Sequence, residues 1–191
     1  MIAEPFWLGA GIWACLYVSD NLLTITCARL YRRQDKIVFQ GSYEITPFFQ
    51  ADVNALRSMS PRFTAMLVAS TAYLAWLSYV SAKWGLQGAY ALALGALILT
   101  QLTVHIRHLR NWFLFRKATA PSGLVGRLEY SRGLLLRAST LELLLFSGLY
   151  VCIFLVTHHL FVLGGVLACL GLALNHYRLA RRHDAAQLKA A

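Results

Sequence analysis

Five long apolar runs, each bordered by a cluster of Lys and Arg, leave this chain few ways to fold. They cover residues 6–30, 63–80, 89–104, 134–156 and 160–174, and the two shortest continue into basic, amphipathic ends. Runs of this kind suit helices that cross about 30 Å of hydrocarbon. In that medium each backbone N–H and C=O must be paired within the protein, and a helix does this inside its own segment. Composition excludes an ordinary soluble domain: 58% of the 191 residues are hydrophobic and 14% charged, where about a quarter charged is usual. The expected fold is all-α, a polytopic transmembrane helical bundle of five spans, with residues 1–191 as a single membrane domain.

The net charge of +10 would suggest a nucleic-acid partner in a soluble protein. Here the cations flank apolar runs, as the positive-inside rule requires, so no nucleic acid is expected. Their expected partner is a lipid bilayer with anionic headgroups on the cytoplasmic side. Arg29, Arg32, Arg33 and Lys36 follow the first run and place its end inside, hence the N-terminus outside. Alternation then puts each later basic cluster, and the C-terminus, in the cytoplasm, as in a prokaryotic inner membrane. The first run has no basic n-region and outlasts an h-region, so it is read as a retained span with Pro5 in its first turn and Phe6 at its start. Cys15, Cys27, Cys152 and Cys169 all fall in apolar runs without metal spacing and are expected to pack as small hydrophobes.

Four segments follow: a first span with its basic end (1–36), a polar stretch (37–62), a helical hairpin (63–117) and a second hairpin (118–191) opened by a linker at 118–126. His105-x-Arg107-x-x-Arg110 returns as His176-x-Arg178-x-x-Arg181, and Tyr79-Val80 as Tyr150-Val151 at the same spacing. The second hairpin therefore reads either as a repeat of the first or as short apolar words and basic ends that recur by chance in a positive-inside protein. Between the spans, Thr46-Pro47 is a helix start, and a short interfacial or re-entrant amphipathic helix is expected from Pro47 to about Met59. Gln50, Asn54, Arg57 and Ser58 form its polar arc, while Asp52 falls among Phe48, Leu56 and Met59 on the apolar one. That carboxylate either enters the bundle or sits at a wet edge.

Ionisable groups inside spans are expensive and point to function by default. Asp20 shares one helical face with Trp13, Tyr17, Thr24 and Cys27. Glu142 lies in the fourth span, where Arg137 is poorly placed round the helix to meet it. Gln101 and His105 form an interior polar pair, and Glu44 precedes the short helix. Arg107, Arg110, Arg137 and Arg178 either form an anion site or snorkel to headgroups. No cofactor is expected. A b-type haem between His105 and His176 is the alternative, with interfacial histidines the plainer reading.

Asp20-x-x-x-Thr24 followed by Gly41-x-x-Glu44-x-x-Pro47 resembles the D-x-x-x-T and G-x-x-E-x-N-P pattern of small uncharacterised prokaryotic membrane families such as the domain of unknown function DUF5658. Thr46 stands where that pattern has Asn, and the similarity spans roughly the first third of the chain. The resemblance implies that Asp20, Thr24, Glu44 and Pro47 belong to one site, and it supplies no activity.

Three function classes remain open. First is an ion or small-solute channel or transporter in which Asp20, Glu44, Asp52 and Glu142 line a polar cavity near the cytoplasmic side, with copies assembling as a homo-oligomer because five short-looped spans enclose little volume. Second is a membrane enzyme acting on a lipid or isoprenoid, with a carboxylate as acid or base and His105 or Arg107 on a phosphate. No D-D-x-x-D-like cluster, nucleophile motif or Gly-rich phosphate loop favours it, and the sequence does not decide whether the protein is an enzyme. Third is a non-catalytic subunit or assembly factor that uses Trp112, Phe113 and Phe115 as a contact surface.

Overall fold

A computed structural model describes residues 7–121 and 123–190, so Pro5 and Phe6 lie outside the described residues. The elements in chain order are α1 (Leu8–Arg32), β1 (Ile37–Phe39), α2 (Pro47–Asn54), α3 (Pro61–Trp84), α4 (Gln87–Ala118), β2 (Leu128–Tyr130), α5 (Arg132–Thr157) and α6 (Leu160–Ala190). Five of the helices are long and apolar enough to cross a membrane, the architecture of an integral membrane protein. This is the all-α bundle of five spans plus one short helix that the apolar runs require.

Local chemistry sets the helix ends. Ser60 accepts the N–H of Phe63 at 3.1 Å, with Pro61 in the first turn of α3, and Ser131 accepts that of Leu134 at 3.2 Å to start α5. These two serines stand at the spacing that separates His105 from His176. Gly85 (φ 71°) and His158 (φ 51°) end α3 and α5 in the left-handed region.

Helix α4 is the hub, touching α1, α3 and α6, while α5 packs chiefly on α6. Close approach of α4 and α6 depends on missing side chains. A Cβ on Gly95 would collide with the Phe161 carbonyl, and one on Gly164 with that of Leu92. Small residues at such crossings let backbones meet where no hydrophobic force drives helices together. Buried Leu143, Tyr150, Val166 and Cys169 form the α5–α6 core. On the other side of α4, Trp13 packs on Leu74 and donates its indole N–H to Ser70 at 2.8 Å, fastening α1 to α3. Cys27 and Cys169 are buried, whereas Cys15 and Cys152 are exposed and do not pack inside.

Three features differ from the sequence expectation. Helix α4 runs unbroken for 32 residues, about 48 Å, so the basic stretch after Val104 continues the span as expected, but its aromatics are not laid out for a contact surface. Its Phe115 is buried and Trp112 packs in an aromatic cluster with Tyr31, Phe39 and Tyr43, which leaves only Phe113 of the three expected contact aromatics exposed. Second, β1 and β2 pair in parallel, Ile37 with Leu128 and Phe39 with Tyr130, and tie the segment after α1 to the segment before α5.

Third, α2 ends at Asn54 rather than near Met59. Leu56 adopts φ 54°, its N–H donates to Val53 O and that of Arg57 donates to Asp52 O, each at 3.0 Å. This is a Schellman closure built on leucine, at a cost of about 1–2 kcal/mol in backbone strain. Leu56 keeps the conformation because its side chain packs with Ile25, Ala28 and Val53. The turn brings Arg57 back over Asp52, with 3.8 Å between Nη1 and Oδ1.

Candidate functional site

Between α1, α4 and the segment containing α2 lies a cavity of about 280 Å³. Its deep end is set by α1. Asp20 sits about 18 Å from either end of that 25-residue helix, on the face that carries buried Trp13, Thr24 and Cys27 toward α4. Gln101 lines the cavity opposite, and Arg107 and His108 stand one to two turns further along α4. Toward the basic ends of the helices, Glu44, Thr46 and Asp52 complete the wall, and exposed Arg57 forms part of the rim.

Asp20, Thr24, Glu44, Asp52, Gln101 and Arg107, six of the residues singled out from sequence, thus border one space. Three do not. Glu142 lines a neighbouring cavity of about 330 Å³ between α4 and α5. It is met there by Arg107 Nε at 2.6 Å and Arg110 Nη1 at 3.0 Å. Arg107 is therefore bound in an ion pair rather than snorkelling to headgroups. Arg137 pairs with Asp184 of α6 at 2.5 Å, outside both cavities. His105 donates from Nδ1 to the Gln101 carbonyl of its own helix at 2.7 Å, and its Nε2 lies 2.7 Å from Ser19 Oγ, so both ring nitrogens are engaged and Nε2 bridges α4 to α1. His176 lines the first cavity with Nδ1 at 2.9 Å from Ser139 Oγ of α5.

Sequence reasoning missed His108 and Tyr43. His108 is buried, with Nε2 at 3.0 Å from Thr24 Oγ1 and 3.4 Å from Asp20 Oδ1, and Nδ1 at 3.3 Å from Tyr43 Oη. A neutral ring donating at Nε2 toward α1 accepts the Tyr43 hydroxyl proton at Nδ1, which gives a polar chain from the middle of α1 to the loop layer. The signal for His108 was its spacing: Ile98, Gln101, His108 and Phe115 are all buried on one stripe of α4. Tyr43 lies in an irregular segment and has no comparable periodic mark.

Glu44 is fixed locally. Its Oε1 accepts the Thr46 N–H at 2.7 Å, its own N–H reaches Ser42 Oγ at 3.2 Å, and Gln50 donates to its carbonyl at 2.9 Å. Thr46 is the N-cap residue of α2, but its side chain makes no capping bond, so the Glu44 carboxylate serves this helix start instead. Burial raises the Glu44 carboxyl above its usual range, against the lowering effect of the Thr46 hydrogen bonds and of Arg107. The same cause lifts the Tyr43 hydroxyl well above its ordinary value.

The cavity is short of partners. Asp20 Oδ1, Asp52 Oδ2, Gln101 Nε2 and Arg107 Nη2 are all buried without a hydrogen bond. Two acceptors and two donors, all on residues lining one space, are the condition in which a polar guest is stabilised, because a lone buried polar group costs about 1–3 kcal/mol.

Comparison with protein-family models, curated proteins and solved structures returned no match.

Proposed function

We propose that this integral membrane protein carries or conducts a small cationic solute or protons, which enter from the basic ends of the helices. One observation carries the reading: carboxylates from three separate segments, Asp20 of α1, Glu44 of the loop and Asp52 of α2, converge on a single cavity that reaches the middle of a span. Membrane-embedded acids with unfilled acceptor positions bind cations or relay protons. The positive-inside rule makes the basic end cytoplasmic and the N-terminus external, as in a prokaryotic inner membrane. The cavity ends among side chains midway along the spans, so movement or assembly of copies is needed to complete a pathway. In proteoliposomes the protein should support saturable cation or proton flux that Asp20→Asn reduces about tenfold or more. Flux unaltered by that substitution removes the site.

A second reading is an enzyme acting on a lipid at the inner leaflet. The chain of Asp20, His108 and Tyr43 favours it, since a carboxylate–imidazole pair can hold a proton beside the unpaired Arg107 Nη2. Conversion of a supplied lipid extract by the wild type and not by His108→Asn, with no flux, would select it.

A further inference from the structure

We infer that the cavity takes a small primary amine that also carries an oxygen acceptor, an amino alcohol or amino acid by class, free or as the headgroup of an aminophospholipid. The inference rests on the cavity being the working site, as in the transport reading, and concerns what occupies it.

Charge sets the first requirement. Asp20, Glu44 and Asp52 line the space. Of the cations around it, Arg107 is bound to Glu142 at 2.6 Å, and Arg57, 66% exposed, stands 3.8 Å from Asp52 at the rim. The acids are in surplus, so the guest is positive where it meets them. Hydrogen bonding sets the second. Asp52 Oδ2 is a buried acceptor without a hydrogen bond, and Asp20 Oδ1 is another, with His108 Nε2 standing off at 3.4 Å; Asp52 as a whole is 8% exposed. An ammonium offers three N–H donors, whereas a quaternary ammonium offers none.

The donors set the third. Gln101, also 8% exposed, stands beside Asp20 with Nε2 short of a well-formed hydrogen bond, and Arg107 leaves Nη2 unpaired. A bare metal cation would satisfy the carboxylates but leave these donors empty. A hydroxyl, carbonyl or carboxylate a few bonds from the ammonium satisfies both ends. The walls between are apolar: Tyr17 and Phe63 stack with centroids 5.1 Å apart, and Leu143 and Leu172 face the same space. Its volume of about 280 Å³ is at the small end of ligand pockets, roughly 300–1,000 Å³. That admits a short frame or a lipid headgroup and excludes a whole lipid.

Binding to the detergent-purified full chain, measured by calorimetry with ethanolamine, propylamine, tetramethylammonium, sodium and acetate, tests this. Ethanolamine should bind saturably, propylamine about tenfold more weakly, and the other three not measurably. Asp20→Asn and Asp52→Asn should each weaken ethanolamine about tenfold or more. Gln101→Met should bring ethanolamine toward propylamine while leaving propylamine unchanged. Unaltered unfolding midpoints of the unliganded variants separate lost binding from lost folding. Nanodiscs with and without phosphatidylethanolamine distinguish the sources: competition by that lipid identifies a headgroup site, and its absence a free solute. Tetramethylammonium or sodium binding as tightly as ethanolamine, or ethanolamine binding unchanged by Asp52→Asn, overturns the inference. Asp20-dependent proton or potassium flux without amine binding also overturns it and leaves the transport reading standing. Saturable amine binding without any flux does the reverse.

Discussion

Asp20 and Glu142 are both carboxylates embedded among apolar helices, and the protein treats them in opposite ways. Glu142 has two guanidinium partners, Arg107 at 2.6 Å and Arg110 at 3.0 Å, and joins α5 to α4. Asp20 has only a histidine 3.4 Å from its Oδ1, and that buried oxygen makes no hydrogen bond, beside a cavity. A pair closed on itself fixes packing. An acid left open, with neighbours left open in the same space, is arranged to meet something that arrives.

The largest effect is expected from Glu142→Gln, which strands Arg107, a side chain 13% exposed. The loss should be about 3 kcal/mol, measured as the unfolding free energy in micelles. A change below about 1 kcal/mol would remove Glu142 from a structural role. Asp20→Asn should instead leave stability level or improved, because it removes an underpaired acid, while reducing flux about tenfold or more in proteoliposomes. Equal loss of stability in both variants would erase the distinction.

A smaller effect separates Glu44 from both. Its carboxyl is raised by burial from an ordinary value of 4.5, so between that value and the raised one the folded chain binds more protons than the unfolded chain. Stability therefore falls as pH rises through this window, and Glu44→Gln should flatten that fall in pH-dependent denaturation curves. A wild-type profile without the fall would show that Glu44 is solvated like an ordinary surface acid. The smallest effect belongs to Arg110→Gln. This side chain is 55% exposed, and its loss should cost less than about 1 kcal/mol in the same unfolding measurement, since Arg107 still holds Glu142.

The spans were legible because hydrocarbon thickness dictates run length; their ends, set for α3 by Ser60, Pro61 and Gly85, fall a few residues outside the apolar run 63–80. Asp20 and Glu142 were visible as acids inside apolar runs. Their different fates were not, because pairing of Glu142 with Arg107 depends on which helices are neighbours and on their rotation, neither of which periodicity in one helix encodes. The inward face of Asp52 was only half legible: its place on the wheel conflicted with its charge, and the early stop at Asn54 depends on a left-handed Leu56, a conformation that leucine does not advertise. Three-residue strands such as Ile37–Phe39 are too short for any alternation to stand out.

That pair of strands has a consequence for how the protein is made. Synthesis delivers Ile37–Phe39 early, yet its partner Leu128–Tyr130 emerges only after α3 and α4. Until then β1 offers an open hydrogen-bonding edge at the end of the nascent bundle. Ile37, Phe39 and Tyr130 all border the cavity that contains Glu142, so that compartment cannot close before α5 is on its way into the bilayer. A chain cut after α4 would hold Asp20 in a complete span beside an unfinished wall.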